Sequence, residues 1–364
     1  MKMQVRKLSD LVPVHSVKSP GYYVAYPRLI GRQAMPDDVF AISDPPWRRR
    51  YFPASEVNFY RLTNVIVAEE GLVFDSSGTL YEETRRFHGD DSVLAALEAI
   101  GASGITSPKM ARYSRAVLCK QRGAENYGHW LIEMLPKAFF AKKELGLGNY
   151  LYAVPKAEGI ADVVRDSLEM VGVGQENHLL LDRTPSFFHE LIVIEGLTVH
   201  SIYMSPLLIE CLEHLSAGIA GNGPARVYLR RAPAKSRDFE TEDRIAERLA
   251  MHGFRPVEMM SLSLREKIAA VKDARVVLGT LGAAMTNVAF CRPGTEVCVF
   301  SPASAREFFF WLLSNLKHHT YYEIRCPELG PALGPLPWDR KIASSPEEIE
   351  DFLSLLWEIQ TQSA

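Results

Sequence analysis

Apolar positions show no clear period up to residue 62, follow a strand period from Asn64, and alternate between strand and helix periods from about residue 116 onward. From Asn64 the text NVIVAEEGLVFDSSGTLYEET alternates apolar with polar residues and breaks at EEG and DSSG, which predicts a β-meander. Residues 1–62 are rich in Pro, Arg and Tyr without a clear period and predict short strands and loops; SDPPW is read there as a turn, with Asp44 and Trp47 as loop packing. A short helix is expected over 91–100, and AVLCK at 116–120 reads as a buried strand. NYGHWLIEMLPKAFFAKKEL, 126–145, has apolar residues at helical spacing behind an Asn able to cap, and Pro136 is expected to end or kink it. Strands at 150–156, 178–182 and 190–199, with an amphipathic helix at 159–172, suggest parallel βαβ units.

A helix at 205–220 is expected to connect two domains, and GNGP punctuates the chain after it. Beyond that point the alternation is cleaner. ARVYLRR, FRPVEM, ARVVLGT, TEVCVFSP and TYYEIRC read as strands. Helices at 240–252 and 263–272 (opened by Ser261 or Ser263), a short one at LGAAMTNVAF and one at FFFWLLSNLK fall between them. This predicts a doubly wound parallel sheet. Residues 327–339 are too rich in Pro and Gly for regular structure; a helix at 346–361 has one apolar face, expected to cross back to the first domain.

The chain has 364 residues, enough for two α/β cores. A net charge of −3 gives no general attraction to nucleic acid. No apolar run approaches the roughly 20 residues of a membrane-spanning helix, and no apolar run follows the basic residues at the start, so no secretory signal is expected. The expectation is a cytoplasmic protein, with room for peripheral contact at the inner face of a membrane. Five widely spaced cysteines without a CxxC favour buried free thiols over a disulfide framework or a metal site.

Three stretches hold candidate chemistry. In VVLGTLGAAMTNVAF a strand runs into a small-residue turn and then a helix. Gly279, Thr280, Gly282, Ala283 and Ala284 would let a ligand approach the backbone. Helix N-terminal amides favour an anion such as a diphosphate, and Thr286 and Asn287 add donors. The plain alternative, a tight packing turn, fits equally well. In VYLRRAPAKSRDFETEDRIAERL, Arg230, Arg231, Lys235 and Arg237 follow a strand's carboxyl end, where ligands sit in open α/β sheets. Guanidinium groups can bind phosphate oxygens bidentately, and Glu242 could cap the next helix or bond a ribose. Alone, this stretch also reads as a solvated basic loop. In NYGHWLIEMLP, His129 and Glu133 lie four apart on one helix face, a pair able to do general-base work or simply to contact each other. No third ligand stands near them in sequence, so no metal is expected. The adjacent His318 and His319 would point to opposite faces of a strand and are not read as ligands.

Taken in order, these stretches resemble glycosyltransferase family 61. The matching residues are Asn126-Tyr-Gly-His129-Trp130, Leu229-Arg230-Arg231, Arg237 with Thr241-Glu242, Gly279-Thr-Leu281-Gly282-Ala283-Ala284-Met-Thr286-Asn287, and Pro293-Gly294-Thr295. The resemblance runs from about Val65 to Pro302. It implies a GT-B-like α/β fold, two Rossmann-like domains facing across a cleft, with a β-rich N-terminal extension. The expected division is an acceptor-side domain over 1–204, joined by the C-terminal helix 346–364, and a nucleotide-sugar-binding domain over 205–345.

The resemblance further implies an inverting transfer from a nucleotide sugar, usually uridine diphosphate-linked, to a hydroxyl of a glycan or lipid-linked glycan. No tightly bound cofactor and no metal are expected. By similarity, Arg230, Arg231, Arg237 and the Gly282–Asn287 turn would hold the diphosphate, with His129 and Glu133 on the acceptor side. His129 oriented by Glu133 is the base candidate, and Glu133 itself the alternative. Leu281 stands where the family usually has His, and Thr241 where it usually has Asn. Those departures keep a catalytically weak or inactive nucleotide- or carbohydrate-binding relative in view. A nucleotide-dependent oxidoreductase fits less well, because GTLGAA lacks the G-x-G-x-x-G spacing and lies late in the chain.

Overall fold

The computed structural model describes residues 4–104, 108–231, 236–344 and 348–354. The chain forms two compact α/β units. One comprises Met1–Gly21 and Pro53–Leu215, the other Tyr22–Phe52 and Ser216–Ala364. The division falls near Leu215 rather than at 204, and the second unit takes in an early excursion that local patterning assigned to the first.

The first unit is built on a nine-stranded mixed sheet. Its centre holds β1 (Ser55–Ala68), β2 (Ala111–Leu118), β3 (Leu151–Pro155), β4 (His178–Leu181) and β5 (Ser186–Glu195). β1 pairs antiparallel with β5, with Leu62 opposite Leu191, while β5, β2, β3 and β4 run parallel in that order. The expected meander continues from β1 through Leu72–Asp75 and Leu80–Tyr81. Successive residues of β1 point to opposite faces, and both faces are buried. Val65 and Val67 join Leu118, Phe188 and Leu191 in one core. Ile66 and Ala68 join Phe74, Leu80 and the helix residues Val93, Ala96 and Ile100 in another.

The second unit is a six-stranded, wholly parallel sheet. Its strands are β6 (Arg226–Arg230), β7 (Arg255–Glu258), β8 (Val276–Thr280), β9 (Glu296–Pro302) and β10 (Thr320–Cys326). They lie in the order β7-β6-β8-β9-β10, and Arg28–Ile30 from the early excursion closes the far edge beside β10. The order reverses between β6 and β8. That leaves a crevice beyond their carboxyl ends, where ligands bind in open α/β sheets.

Tyr228, Leu278, Phe300 and Tyr322 bury one sheet face against Ile245 and Leu249 of the helix Glu242–Met251. Ile349, Phe352 and Leu353 enter the same core. This corrects the expected return of the C-terminal helix to the first domain: its apolar stripe matches a gap over the second sheet. The part of that helix beyond 354 lies outside the described residues.

Two local readings change. SDPPW is not a loop turn but the end of the helix Asp37–Trp47, with Pro45 and Pro46 in its last turn. Buried Trp47 anchors it and Arg48 pairs with Asp44 at 2.5 Å. The segment LGAAMTNVAF does turn helically, but as a 3₁₀ helix over Ala283–Phe290. Of the two serines expected to open the helix Leu264–Val271, Ser263 does so, through a capping box with Glu266.

Candidate active site

In the first unit, Asn126 caps the helix start: its Oδ1 accepts from the amides of Gly128 at 2.8 Å and His129 at 3.4 Å. Pro136 neither ends nor breaks the helix. The turn Trp130–Met134 widens to a π-helix, with Leu135 N–H donating to Trp130 O, and an α-helix follows over Leu135–Leu145. Widening removes the need for an amide at Pro136 and relieves the clash its ring would make with the preceding turn. Buried Trp130 donates from Nε1 to Ser167 Oγ at 2.9 Å and fixes the helix sideways.

This seats Glu133 at 1% exposure inside the unit. His129 Nδ1 lies 2.8 Å from its Oε2, and His200 Nδ1 lies 2.8 Å from its Oε1. The two imidazoles stack, with centroids 4.4 Å apart and planes at 25°. Gln121 Nε2 also donates to Oε2 at 2.8 Å, and Lys137 Nζ holds the Gln121 carbonyl oxygen at 2.7 Å, which sets the amide's orientation. Gly123, at φ +81°, lets the loop lie against the imidazole: a Cβ there would come within 3.0 Å of His129 Cγ. Burial pushes the Glu133 pKa up, and hydrogen bonds from His129 and His200 outweigh it, bringing the carboxyl down to about 2.

An ionised carboxylate only accepts, so both Nδ1 atoms carry hydrogen and each neutral ring keeps its lone pair on Nε2. The group can therefore accept a proton at Nε2 and hold the resulting imidazolium. Two imidazoles and a carboxylate within 4.8 Å of one another could also hold a cation, and His200 is the third ligand that the sequence does not place near the His129–Glu133 pair. Glu133, buried under three donors, orients the rings and is not placed to abstract a proton itself.

The sequence gives little sign of His200, a single His in a turn far along the chain. Gln121 carries a weak signal, as a polar residue just past a buried strand's carboxyl end.

In the second unit, Arg231 lies just past β6. Its Nη1 donates to Leu281 O at 3.1 Å and its Nε lies 3.3 Å from Asp238 Oδ1. A Cβ on Gly282 would meet that Nη1 at 2.9 Å. Arg237 follows in a left-handed conformation, φ +62°, with Nε 3.3 Å from Asp339 Oδ1. Asp238 and Asp339 are both buried. Burial lowers the Arg231 pKa, and the charge of Arg237 adds to the effect. Arg231 thus lies on the Gly282 turn, and Arg237 is near enough for its charge to act on Arg231. Lys235 lies outside the described residues.

Arg230 does not join them. Adjacent strand residues face opposite ways, and Arg230 is turned onto Asp243, Glu242 and Glu258. Glu242 opens its helix without a side-chain cap from Thr241 and accepts from Tyr228 OH at 2.5 Å, so it is occupied by its own fold. Gly279 serves packing, since a Cβ there would lie 2.5 Å from Met285 Sδ. Thr280, Thr286 and Asn287 are buried, and Asn287 Nδ2 donates back to Ala284 O at 2.8 Å, bracing the turn. Ala283 and Ala284 are half-buried at the helix start, and Gly282 is buried beside Arg231.

All five cysteines are free and buried. Among the described residues no helix is long and apolar enough to cross a membrane. No curated protein matches the chain. Residues 127–298, from the helix that carries His129 to the strand after the Gly282 turn, match the family model described as Glycosyltransferase 61, a match that supports glycosyltransferase family 61.

Proposed function

We propose that this glycosyltransferase moves a sugar, with inversion, from a nucleotide diphosphate donor of the uridine type to a hydroxyl of a glycan or lipid-linked glycan. The observation that carries the donor half is the convergence of Arg231 on the Gly282 turn at the crevice between β6 and β8. There the guanidinium groups of Arg231 and Arg237 and the amides of Gly282 to Ala284 would bind the diphosphate and offset its growing charge as it leaves. Those groups supply the positive charge such a leaving group needs without a bound metal or cofactor.

The acceptor half rests on His129. Its Nε2 would take the hydroxyl proton as the oxygen attacks the anomeric carbon from the face opposite the diphosphate. Glu133 keeps the ring in the productive tautomer. Bringing base and donor together requires the two units to act as the facing lobes of a GT-B enzyme, and we include that arrangement in the proposal. Five free thiols support a reducing compartment, the cytoplasmic side, with the acceptor met in solution or at the membrane's inner face.

One observation favours a second reading. Leu281 is buried and apolar at the position where a polar group could face the donor, which suits a binding protein of weak activity. A thermal-shift screen of nucleotide sugars followed by donor-hydrolysis and transfer assays tests both, because a ligand of the folded state raises the melting temperature by mass action. Stabilisation with turnover supports the transferase and stabilisation without turnover the binding protein. No stabilisation by any nucleotide sugar removes both.

A further inference from the structure

His200 has no part in the resemblance set out above, yet it brings a third metal-ligating side chain to the His129–Glu133 pair. Its ring reaches Glu133 from the turn between the short strands Thr198–Val199 and Tyr203–Met204. The two Nδ1 atoms each lie 2.8 Å from a different oxygen of one carboxylate, and the rings stack, so both nitrogens and the carboxylate oxygens gather in one place. Among the described residues this is the one group of three His, Cys, Asp or Glu side chains whose ligand atoms all lie within 4.8 Å of one another.

The surroundings of Glu133 favour a cation there. Its side chain is 1% exposed, and a buried charge is costly unless it is paired or binds a metal. Its hydrogen bonds come from Gln121, His129 and His200. Among the described residues no lysine or arginine bonds to it, and Lys137 reaches it only through Gln121. With both rings neutral, the carboxylate has only uncharged donors around it.

We propose that His129, Glu133 and His200 form a site for one divalent transition metal of the zinc class, and that filling it silences the base; the second half rests on the reading of His129 as base. Two imidazoles and one carboxylate suit zinc, cobalt or iron, whereas magnesium and calcium take oxygen ligands. Ligand atoms bonded to tetrahedral zinc at about 2.0–2.1 Å stand about 3.4 Å apart, so the 2.8 Å contacts need open by only about 0.6 Å to admit it. Both histidine side chains are 23% exposed, which leaves a way in. Gln121, itself held by Lys137, orients the carboxylate from outside as a ligand's supporting partner does.

The effect on catalysis follows from the tautomer. Without metal, Nδ1 of His129 carries the hydrogen and Nε2 the lone pair. A metal takes the lone pair of Nδ1, so the hydrogen moves to Nε2, and no proton is gained or released. Nε2 then donates, and the ring has no atom left to accept the proton of an attacking hydroxyl. Zinc at this site therefore inhibits transfer, and its removal restores the base.

The test adds zinc ion alone to the chelator-treated chain. Calorimetry should give one zinc per chain. His200→Ala and His200→Gln should weaken binding by more than about 100-fold, and Gln121→Ala by about 10- to 100-fold. Cobalt ion in place of zinc should give the visible bands of nitrogen and oxygen ligation, without the thiolate-to-cobalt absorption that cysteine ligands produce. Transfer should fall in step with zinc occupancy and return in chelator. In the His200 variants the ratio of those two rates should stay near one, whatever each variant's own rate.

Zinc that does not bind one to one, binds as tightly to both His200 variants, or is replaced by cobalt with thiolate absorption would overturn the site. The wild-type cobalt spectrum decides this even if a variant does not fold. Zinc held by the three ligands while transfer continues, or transfer that needs zinc, would uphold the site and overturn the silencing, together with the reading of His129 as base. Zinc binding in a chain that transfers no sugar even in chelator would uphold the site and sink the transferase reading instead.

Discussion

Arg231 donates through Nη1 to the carbonyl oxygen of Leu281 at 3.1 Å, tying the loop after β6 to the end of β8 across the point where the strand order reverses. Its neighbour Arg230 is held on the other side by Asp243, Glu242 and Glu258. Two adjacent arginines therefore make different predictions. Charged hydrogen bonds contribute about 1.5–3 kcal/mol, so Arg231→Ala should weaken nucleoside diphosphate binding by about 10- to 100-fold in a calorimetric titration. Arg230→Ala removes ion pairs at a partly exposed site and should change that affinity by less than about 3-fold. Equal losses would remove Arg231 from its assigned place.

The two glycines of this region should also separate. Gly282→Ala puts a methyl against Arg231 and should lower nucleotide affinity with little loss of melting temperature. Gly279→Ala puts one against Met285 Sδ and Leu229 inside the packed sheet, and should cost about 1–3 kcal/mol of stability. Thermal melts with and without nucleotide distinguish them; a Gly279 variant as stable as the wild type would contradict the packing role.

His129→Ala should cut transfer by roughly 10²–10⁴-fold at neutral pH, the ordinary contribution of a general base, while leaving donor binding intact. Glu133→Gln should cut it through loss of the negative charge that favours the imidazolium. A full-rate His129 variant in a steady-state assay would end the base assignment.

His319 makes a prediction about folding. Burial, aided by the charge of Lys317, lowers its pKa to about 3 from an ordinary value near 6.5. The folded state therefore keeps the ring neutral where the unfolded chain protonates it. Stability should fall as pH drops from about 6.5 towards 3, by up to about 1.4 kcal/mol per pH unit from this group. His319→Leu should flatten that slope in denaturant titrations across the same range; an unchanged slope would mean the ring is solvated.

Much of the second unit was legible because its determinants are local. Fully buried parallel strands read as apolar runs between helix periods, and the Ser263 capping box spans four residues. The Asn126 cap and the Gly282 turn were legible for the same reason. Pro136 was not, because whether a proline breaks a helix or widens one turn depends on the packing that holds the rest, here Trp130 against Ser167.

The sequence by itself determined the α/β class, the order of most strands and helices, and the segments that carry His129, Arg231 and the glycine turn. Periodicity, capping and turn chemistry act over a few residues and leave their mark in the text. Tertiary structure alone decided which of two adjacent arginines faces the crevice, which core receives Ile349, Phe352 and Leu353, that Arg28–Ile30 closes the second sheet, and that His200 shares the carboxylate of Glu133. Those outcomes depend on how distant segments pair to bury apolar surface and satisfy buried charge, and no short stretch of sequence encodes the partner.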